Sequence, residues 1–410
     1  MLIKNIGCLT GILPQEVERL RGEEMNRLQS IENAWLLTDG ERIAGFGPME
    51  SCPDANGEVM DAMGGIVTPA FCDSHTHIVW AGDRSGEFID KIDGLSYEEI
   101  AERGGGILNS SDLLNATSED ELFHSALRRL RQMAAMGTGA VEIKTGYGLT
   151  LEGELKMLRV IKRLQREMPQ VEIRSTFLGA HAVGRAYAGR QGEYVDHVIA
   201  DMLPAMAGEA DFVDVFCDKG FFTVEETDSI LAAAKPLGLC PKIHANELDC
   251  SGGVQVGVKH GAMSVDHLER IGDEEIALLA NSDTIATMLP GASFFSGLPY
   301  GPAKRAIAGG CAVALASDYN PGSSPSGSMG MVMSLGCIKM KLRPEQALNA
   351  VTINGAAAMG LSSDFGSITP GKYASLIIYA PWVPTLAYIP YAYTEPKIST
   401  VILKGKALAQ

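Results

Sequence analysis

Asp73-Ser74-His75-Thr76-His77 ends an apolar, strand-like run at 66–73, and its reading decides how the rest of the chain is understood. Residues i and i+2 of an extended segment point to the same side. His75 and His77 can therefore offer two imidazoles to one ion. Working outward, seven more apolar runs of strand length lie near 139–144, 171–180, 211–217, 240–246, 262–267, 283–289 and 311–317. Helical stretches separate them. One runs from Ser118 to Gly137, opened by a Ser118/Glu121 capping box and stopped by the glycine. Another follows Thr150 and ends before Pro169, and a third begins at Thr223 with Glu226 as its capping partner. Eight strands alternating with helices predict an α/β fold, a (β/α)8 barrel. A doubly wound sheet is the competitor, but no G-x-G-x-x-G opens a helix after the first strand. Arg103-Gly104-Gly105-Gly106 is followed by neither Lys-Ser nor Lys-Thr and reads as a flexible loop rather than a phosphate cradle.

Other polar residues sit where the barrel strands end. His244 closes the fifth in Lys242-Ile243-His244-Ala245-Asn246-Glu247. His267 closes the sixth in Ser264-Val265-Asp266-His267-Leu268, and Asp318 the eighth in Ala314-Leu315-Ala316-Ser317-Asp318. A closed barrel gathers these ends on one rim, the face where barrel active sites form. Imidazoles with a carboxylate suit zinc or another transition ion and leave a position for water. Any one of these residues, taken alone, would be read as satisfying a neighbouring backbone group. As a set at successive strand ends they are read as a metal site. His124, His197 and His260 fall on helical or connecting segments and read as surface or structural histidines, and Met329, Met331 and Met333 as core filler.

Both chain ends carry short strands. Ala34-Trp35-Leu36-Leu37-Thr38 and Arg42-Ile43-Ala44-Gly45-Phe46 flank a hairpin turn at Asp39-Gly40. Tyr373 to Tyr379 and Thr400 to Leu403 follow a turn at Pro370-Gly371. Neither end alone makes a stable sheet. The expectation is one small β-sandwich domain built from residues 1–64 and 366–410, beside a barrel of residues 65–365. A length of 410 residues, 46% of them hydrophobic, suits that division. A formal net charge of −16 argues against nucleic acid and anionic membrane as partners. The eight cysteines form no C-x-x-C pair, which reads as a reducing cytoplasm. Met1 to Leu13 lacks the apolar core of a signal peptide, and no run approaches the ~18 apolar residues of a membrane span.

His75-x-His77, His244, His267 and Asp318 together resemble the amidohydrolase superfamily. The resemblance implies a distorted (β/α)8 TIM barrel with a β domain formed by both chain ends. Binuclear members use a carboxylated lysine at the end of the fourth strand. Here that strand ends at Cys217-Asp218, with Lys219 in a polar turn beyond it and Lys144 on the second strand. One zinc or iron ion per subunit is the expectation. Four segments are similar to the imidazolonepropionases within that superfamily: Asp73 to Arg84, Glu142 to Leu149, Thr176 to His181 and Asp318 to Pro325. This implies hydrolysis of the ring C–N bond of 4-imidazolone-5-propanoate to N-formimidoyl-L-glutamate, in histidine breakdown, by a homodimer acting on a small molecule. It implies His75, His77, His244 and Asp318 as metal ligands, with Asp318, His267 and Glu247 as the catalytic groups. Arg84 would hold the propionate, since guanidinium binds carboxylate bidentately. Tyr147, His181 and Glu247 would contact ring or tail, and Asn320, Gly322 and Ser323 would hold substrate or product carboxylates. Glu247 stands where the family has Gln or Glu, and Lys144-Thr145-Gly146-Tyr147 replaces a common Lys-Ser-Gly-Tyr. Deaminases and other cyclic amidases share the metal set. Arg84, Tyr147 and the 320–323 loop favour a substrate with an acidic side chain.

Overall fold

The computed structural model describes residues 1–54, 57–95, 99 and 105–408. The chain opens with β1 (Leu2–Ile12), β2 (Gln29–Asp39), β3 (Arg42–Pro48), β4 (Val59–Asp61) and β5 (Ile66–Pro69). Eight strands follow, separated mostly by helices: β6 (Phe71–Asp73), β7 (Thr138–Lys144), β8 (Glu172–Ala180), β9 (Phe212–Cys217), β10 (Cys240–Ala245), β11 (Ser264–His267), β12 (Ile285–Met288) and β13 (Val313–Leu315). The chain returns through β14 (Leu376–Tyr379), β15 (Ile398–Leu403) and β16 (Lys406–Ala407).

Strands β6 to β13 pair in sequence order and parallel throughout, as a (β/α)8 barrel requires. The expected caps form. Ser118 and Glu121 close a capping box on the helix Glu119–Ala135, Thr150 caps Leu151–Glu167, and Thr223 with Glu226 caps Val224–Ala234. Gly137 takes φ 99° at the end of the first of these, a conformation open to glycine at little cost. Along β7, Val141 and Ile143 pack outward into the main hydrophobic core while Glu142 and Lys144 turn to the barrel axis. Of the glycine-rich segment, Gly105 precedes and Gly106 opens the helix Gly106–Ala116, whereas Arg103 and Gly104 lie outside the described residues.

The terminal strands form one eight-stranded sheet ordered β16-β15-β14-β5-β1-β2-β3, with β4 against β1. Here the structure refines the sequence reading. The run 66–73 is two strands. β5 lies between β1 and β14 in the terminal sheet, and β6 begins the barrel. The hand-over takes one residue: Ala70 N–H donates to the Ser375 carbonyl at 2.9 Å, and Phe71 N–H to the Gly137 carbonyl at 2.9 Å. Every residue from Ile66 to Trp80 is buried, so no alternation of polar and apolar positions marks the division. Among the described residues no helix is long and apolar enough to cross a membrane. The eight cysteines are free.

The first and last barrel strands meet just beyond their ends. Asp318 N–H donates to the His75 carbonyl at 3.0 Å, and His77 N–H to the Tyr319 carbonyl at 3.0 Å. The buried Asp73 carboxylate accepts from Ser317 N–H at 2.9 Å and from Ser317 Oγ at 2.6 Å. This seam sets His75, His77 and Asp318 side by side. Asp73→Ala strands both Ser317 donors in a dry interior, so we expect a loss of about 2–3 kcal/mol, read as a lower urea midpoint at unchanged slope. A variant as stable as the parent would show that the seam is held elsewhere.

Candidate active site

The seam and the ends of β10 and β11 deliver four imidazoles and one carboxylate to a single spot. The Nε2 atoms of His75 and His77 stand 3.3 Å apart, and Asp318 Oδ1 lies 3.6 Å from the first and 3.5 Å from the second. The His244 ring is 4.4 Å from that of His75, centroid to centroid, and the His267 ring is 5.3 Å from that of His244. One potential donor atom each from His75, His77 and His244 falls within 4.8 Å of the other two, and the same holds for His75, His267 and Asp318. All five residues are at most 3% exposed. Two of them carry backbone strain: His267 has φ 82° and Asp318 φ 52°, values that side chains with a Cβ seldom adopt.

The outer nitrogens of two rings face carboxylates. His75 Nδ1–H donates to Asp266 Oδ2 at 2.6 Å, and His244 Nδ1 stands 2.9 Å from Asp214 Oδ2. Each ring then turns its Nε2 to the centre. Among the described residues both nitrogens of His244 and the Nδ1 atoms of His77 and His267 are buried without a partner in hydrogen-bond geometry, His244 Nδ1 meeting Asp214 by proximity alone. An orphaned nitrogen in a dry site, beside two Nε2 atoms facing each other, is the signature of a place that takes a cation. Electrostatics agree. Burial pushes His75 and His77 well below the usual imidazole range, His244 down to about 3 and His181 down to about 4, so these rings stay neutral. His267 behaves oppositely: burial works against its charge, but the carboxylates of Glu247 and Glu269 outweigh it and raise the ring to about 10. Burial raises Asp318 to about 6 and Glu247 to about 7.

The Amidohydrolase family profile matches residues 66–408. An imidazolonepropionase of Christiangramia forsetii is 49% identical over 411 residues, covering 100% of both chains, and one of Flavobacterium johnsoniae is 50% identical over 410 residues, covering 99% of each. The chain belongs to the amidohydrolase family, on its imidazolonepropionase branch. A mutant atrazine chlorohydrolase of Arthrobacter aurescens TC1, crystallised with zinc and atraton, shares the fold of this amidohydrolase at a TM-score of 0.73 and 15% identity, covering 100% of this chain and 95% of that one.

Above the imidazoles the amidohydrolase barrel opens into a cavity of about 900 Å³. Arg84, Tyr147, His181, Glu247, Asn320, Gly322 and Ser323, all singled out from the sequence, line it together with His77, His244, His267 and Asp318. His75 lies deeper. Arg84 is clasped by Glu87, through Nε at 2.8 Å and Nη2 at 2.5 Å, and the other Glu87 oxygen accepts from Gly106 N–H at 3.0 Å. His181 Nδ1–H donates to the Gly146 carbonyl at 3.0 Å, leaving its Nε2 for the cavity. Ser323 Oγ donates to Asp318 Oδ2 at 3.2 Å, and Asn320 Nδ2 to the Asp318 carbonyl at 2.7 Å. His197 and His260 instead pair with Asp201 and Asp228, away from the cluster.

Sequence reasoning passed over several residues. Phe88, Phe216, Phe221 and Phe295 form an aromatic wall, with Phe88 stacked on Phe295 at 5.5 Å and Phe216 on Phe221 at 4.0 Å. Asp218, read only as the end of the fourth strand, shapes the next loop. Its Oδ2 accepts from Glu247 N–H at 2.8 Å and Leu248 N–H at 2.9 Å, and its Oδ1 from Asp249 N–H at 3.2 Å. An acidic residue just past a strand end was the available signal. Asp218→Ala frees those amides and with them the Glu247 side chain. The expected result is a fall in kcat of roughly 10-fold or more from the lost orientation while bound metal, counted by elemental analysis, is unchanged. Parental kcat would detach Asp218 from the site.

Proposed function

We propose that this amidohydrolase hydrolyses the lactam C–N bond of 4-imidazolone-5-propanoate, giving N-formimidoyl-L-glutamate in histidine degradation. The observation that carries the reading is a buried imidazole–carboxylate cluster at the floor of a cavity whose wall holds Arg84, in a chain that aligns end to end with imidazolonepropionases. The donor set fits one zinc or iron ion, held by His75, His77, His244 and Asp318: three neutral rings, one carboxylate, and ring nitrogens left without protein partners. When bound, such an ion brings the pKa of a water to about 7 and polarises a carbonyl oxygen.

The chain's own groups supply the rest. Arg84 binds the propionate tail, and Asn320, Gly322 and Ser323 hold the carboxylate end of substrate or product. Tyr147 and His181 border the ring, and Glu247 accepts hydrogen bonds from ring N–H groups. The Asp318 carboxylate takes a proton from the attacking water as its oxygen bonds to the lactam carbon. His267, held positive by Glu247 and Glu269, lies where it stabilises the negative charge that develops on the lactam oxygen. The C–N bond then breaks, and Asp318 returns the proton to the leaving nitrogen.

Purified protein given imidazolone propionate should release N-formimidoyl-L-glutamate, followed by chromatography. Turnover of cytosine or a dihydropyrimidine in its place would reassign the substrate. Arg84→Met should raise KM about 100-fold, or about 2.7 kcal/mol, with kcat nearly kept, and should leave an imidazolone lacking the propionate unaffected. Gly322→Ala should raise KM in the same sense, because a methyl there runs into the Arg84 guanidinium.

Elemental analysis should find close to one ion per chain. Stripping it with a chelator should lower the melting temperature, and zinc at a thousandfold excess over its Kd should restore about 4 kcal/mol. His244→Ala should show neither the ion nor the restoration. A chelator-insensitive melt in the parent protein would defeat the metal assignment.

A further inference from the structure

Beneath the imidazoles lies a group of charged side chains that the proposed reaction does not touch. Glu142 and Lys144 stand two residues apart on β7, Asp214 is on β9, Lys242 on β10 and Asp266 on β11. All five are at most 1% exposed. Lys144 Nζ donates to Glu142 Oε1 at 2.6 Å and to Asp214 Oδ2 at 2.7 Å, and stands 3.7 Å from Asp266 Oδ2. Lys242 Nζ pairs with Glu142 Oε2, donates to the Ser74 carbonyl at 2.9 Å, and stands 3.9 Å from Asp266 Oδ2. Glu142 also accepts from the Thr176 hydroxyl. Asp214 and Asp266 are the two carboxylates that meet His244 and His75.

Stability is a poor reason for such a cluster. Desolvation costs several kcal/mol per ion, and apolar side chains of similar volume are often as stable or more so. What the ions achieve and methyl groups cannot is direction. Lys144 donates to Asp214 and stands at ion-pair distance from Asp266, which also accepts from the Ser264 hydroxyl, and each carboxylate faces one ring. Asp214 is further fixed because its Oδ1 accepts from His244 N–H at 3.1 Å.

We propose that Lys144, backed by Glu142 and Lys242, is a positioning residue for the metal centre: it aims Asp214 and Asp266 at the Nδ1 atoms of His244 and His75, so that both rings keep their Nε2 lone pairs for the cation. The inference rests on the reading that these two histidines hold an ion. Carboxylate partners of metal-bound histidines typically contribute 10- to 100-fold in metal affinity, and Lys144 is ion-paired with two such carboxylates.

The test uses the full chain, stripped of metal and titrated with zinc against a chromophoric chelator. Lys144→Met, Asp214→Asn and Asp266→Asn should each weaken zinc binding by roughly 10- to 100-fold. The Lys144→Met/Asp266→Asn double variant should be weakened by less than the product of the single effects, since the lysine acts through the aspartate. In metal-free, 15N-histidine-labelled protein, the Nδ1–H signals of His75 and His244 should be present in the parent and shifted or lost in the variants. Folded variants with parental zinc affinity and parental ring signals would overturn the proposal. If Lys144→Met does not fold, Lys144→Gln is read by the same two measures, with Asp214→Asn and Asp266→Asn as the controls for the carboxylate–ring contacts it acts through. A parent protein that binds no zinc would sink the metal reading itself, whereas a parent that binds it, with variants that bind equally well, sinks the positioning role alone.

Discussion

The hydrogen bond from Asp318 N–H to the His75 carbonyl joins the last barrel strand to the first, and the site exists where that joint is made. A parallel barrel brings every strand's carboxyl end to one rim, and side chains from opposite strands, His75 beyond β6 and His244 on β10, meet across it. At the seam the backbone does the gathering. His75 and His77 come from one side, Asp318 from the other, and the left-handed φ of Asp318 turns its carboxylate toward the rings. The paired strands β10 and β11, across the barrel from β6, add His244 and His267 from their ends.

Closing the site over polar groups sets its electrostatics. Burial makes charging any single imidazole unfavourable, and four rings within a few ångströms compound the effect, so three of them are neutral donors at physiological pH. His267 escapes because two carboxylates, Glu247 and Glu269, face its Nδ1 at 3.6 Å. One rim therefore holds three neutral rings beside a charged one. The division follows from which residues carry acidic neighbours rather than from the histidines themselves.

Much of this was legible because barrel strands announce their ends. An apolar run that stops at a polar residue points to the rim, and His75, His77, His244, His267 and Asp318 each follow such a run. The eight-strand count and the helix caps were legible for similar reasons, since Ser118, Thr150 and Thr223 sit where orphan N–H groups need an acceptor. The split of 66–73 was not, because both halves are buried on both faces and only the partner strands differ. The charged cluster was hidden in another way. Glu142, Lys144, Asp214, Lys242 and Asp266 are charges set within apolar strands, and the Lys144–Asp214 and Lys242–Glu142 partners lie 70 and 100 residues apart along the chain. Sequence marks such residues as anomalies and only the barrel pairs them. The aromatic wall escaped notice because a phenylalanine reads the same in sequence whether its side chain faces a core or a cavity.

The Arg84–Glu87 clasp bears on selectivity. In its present pairing the guanidinium already has a carboxylate, so an incoming propionate gains only the difference between two similar ion pairs, unless Arg84 holds both. Glu87 is also tied to Gly106 N–H, at the start of the helix Gly106–Ala116, so any shift of Glu87 is felt at that side of the cavity mouth. A neutral substrate has nothing to offer in exchange for the clasp. An anionic one meets a guanidinium already aimed and held rigid, so little side-chain entropy remains to be lost on binding. On the proposed function, selection for an acidic tail would then involve Glu87, which pairs with Arg84, as well as the arginine that would grip the tail.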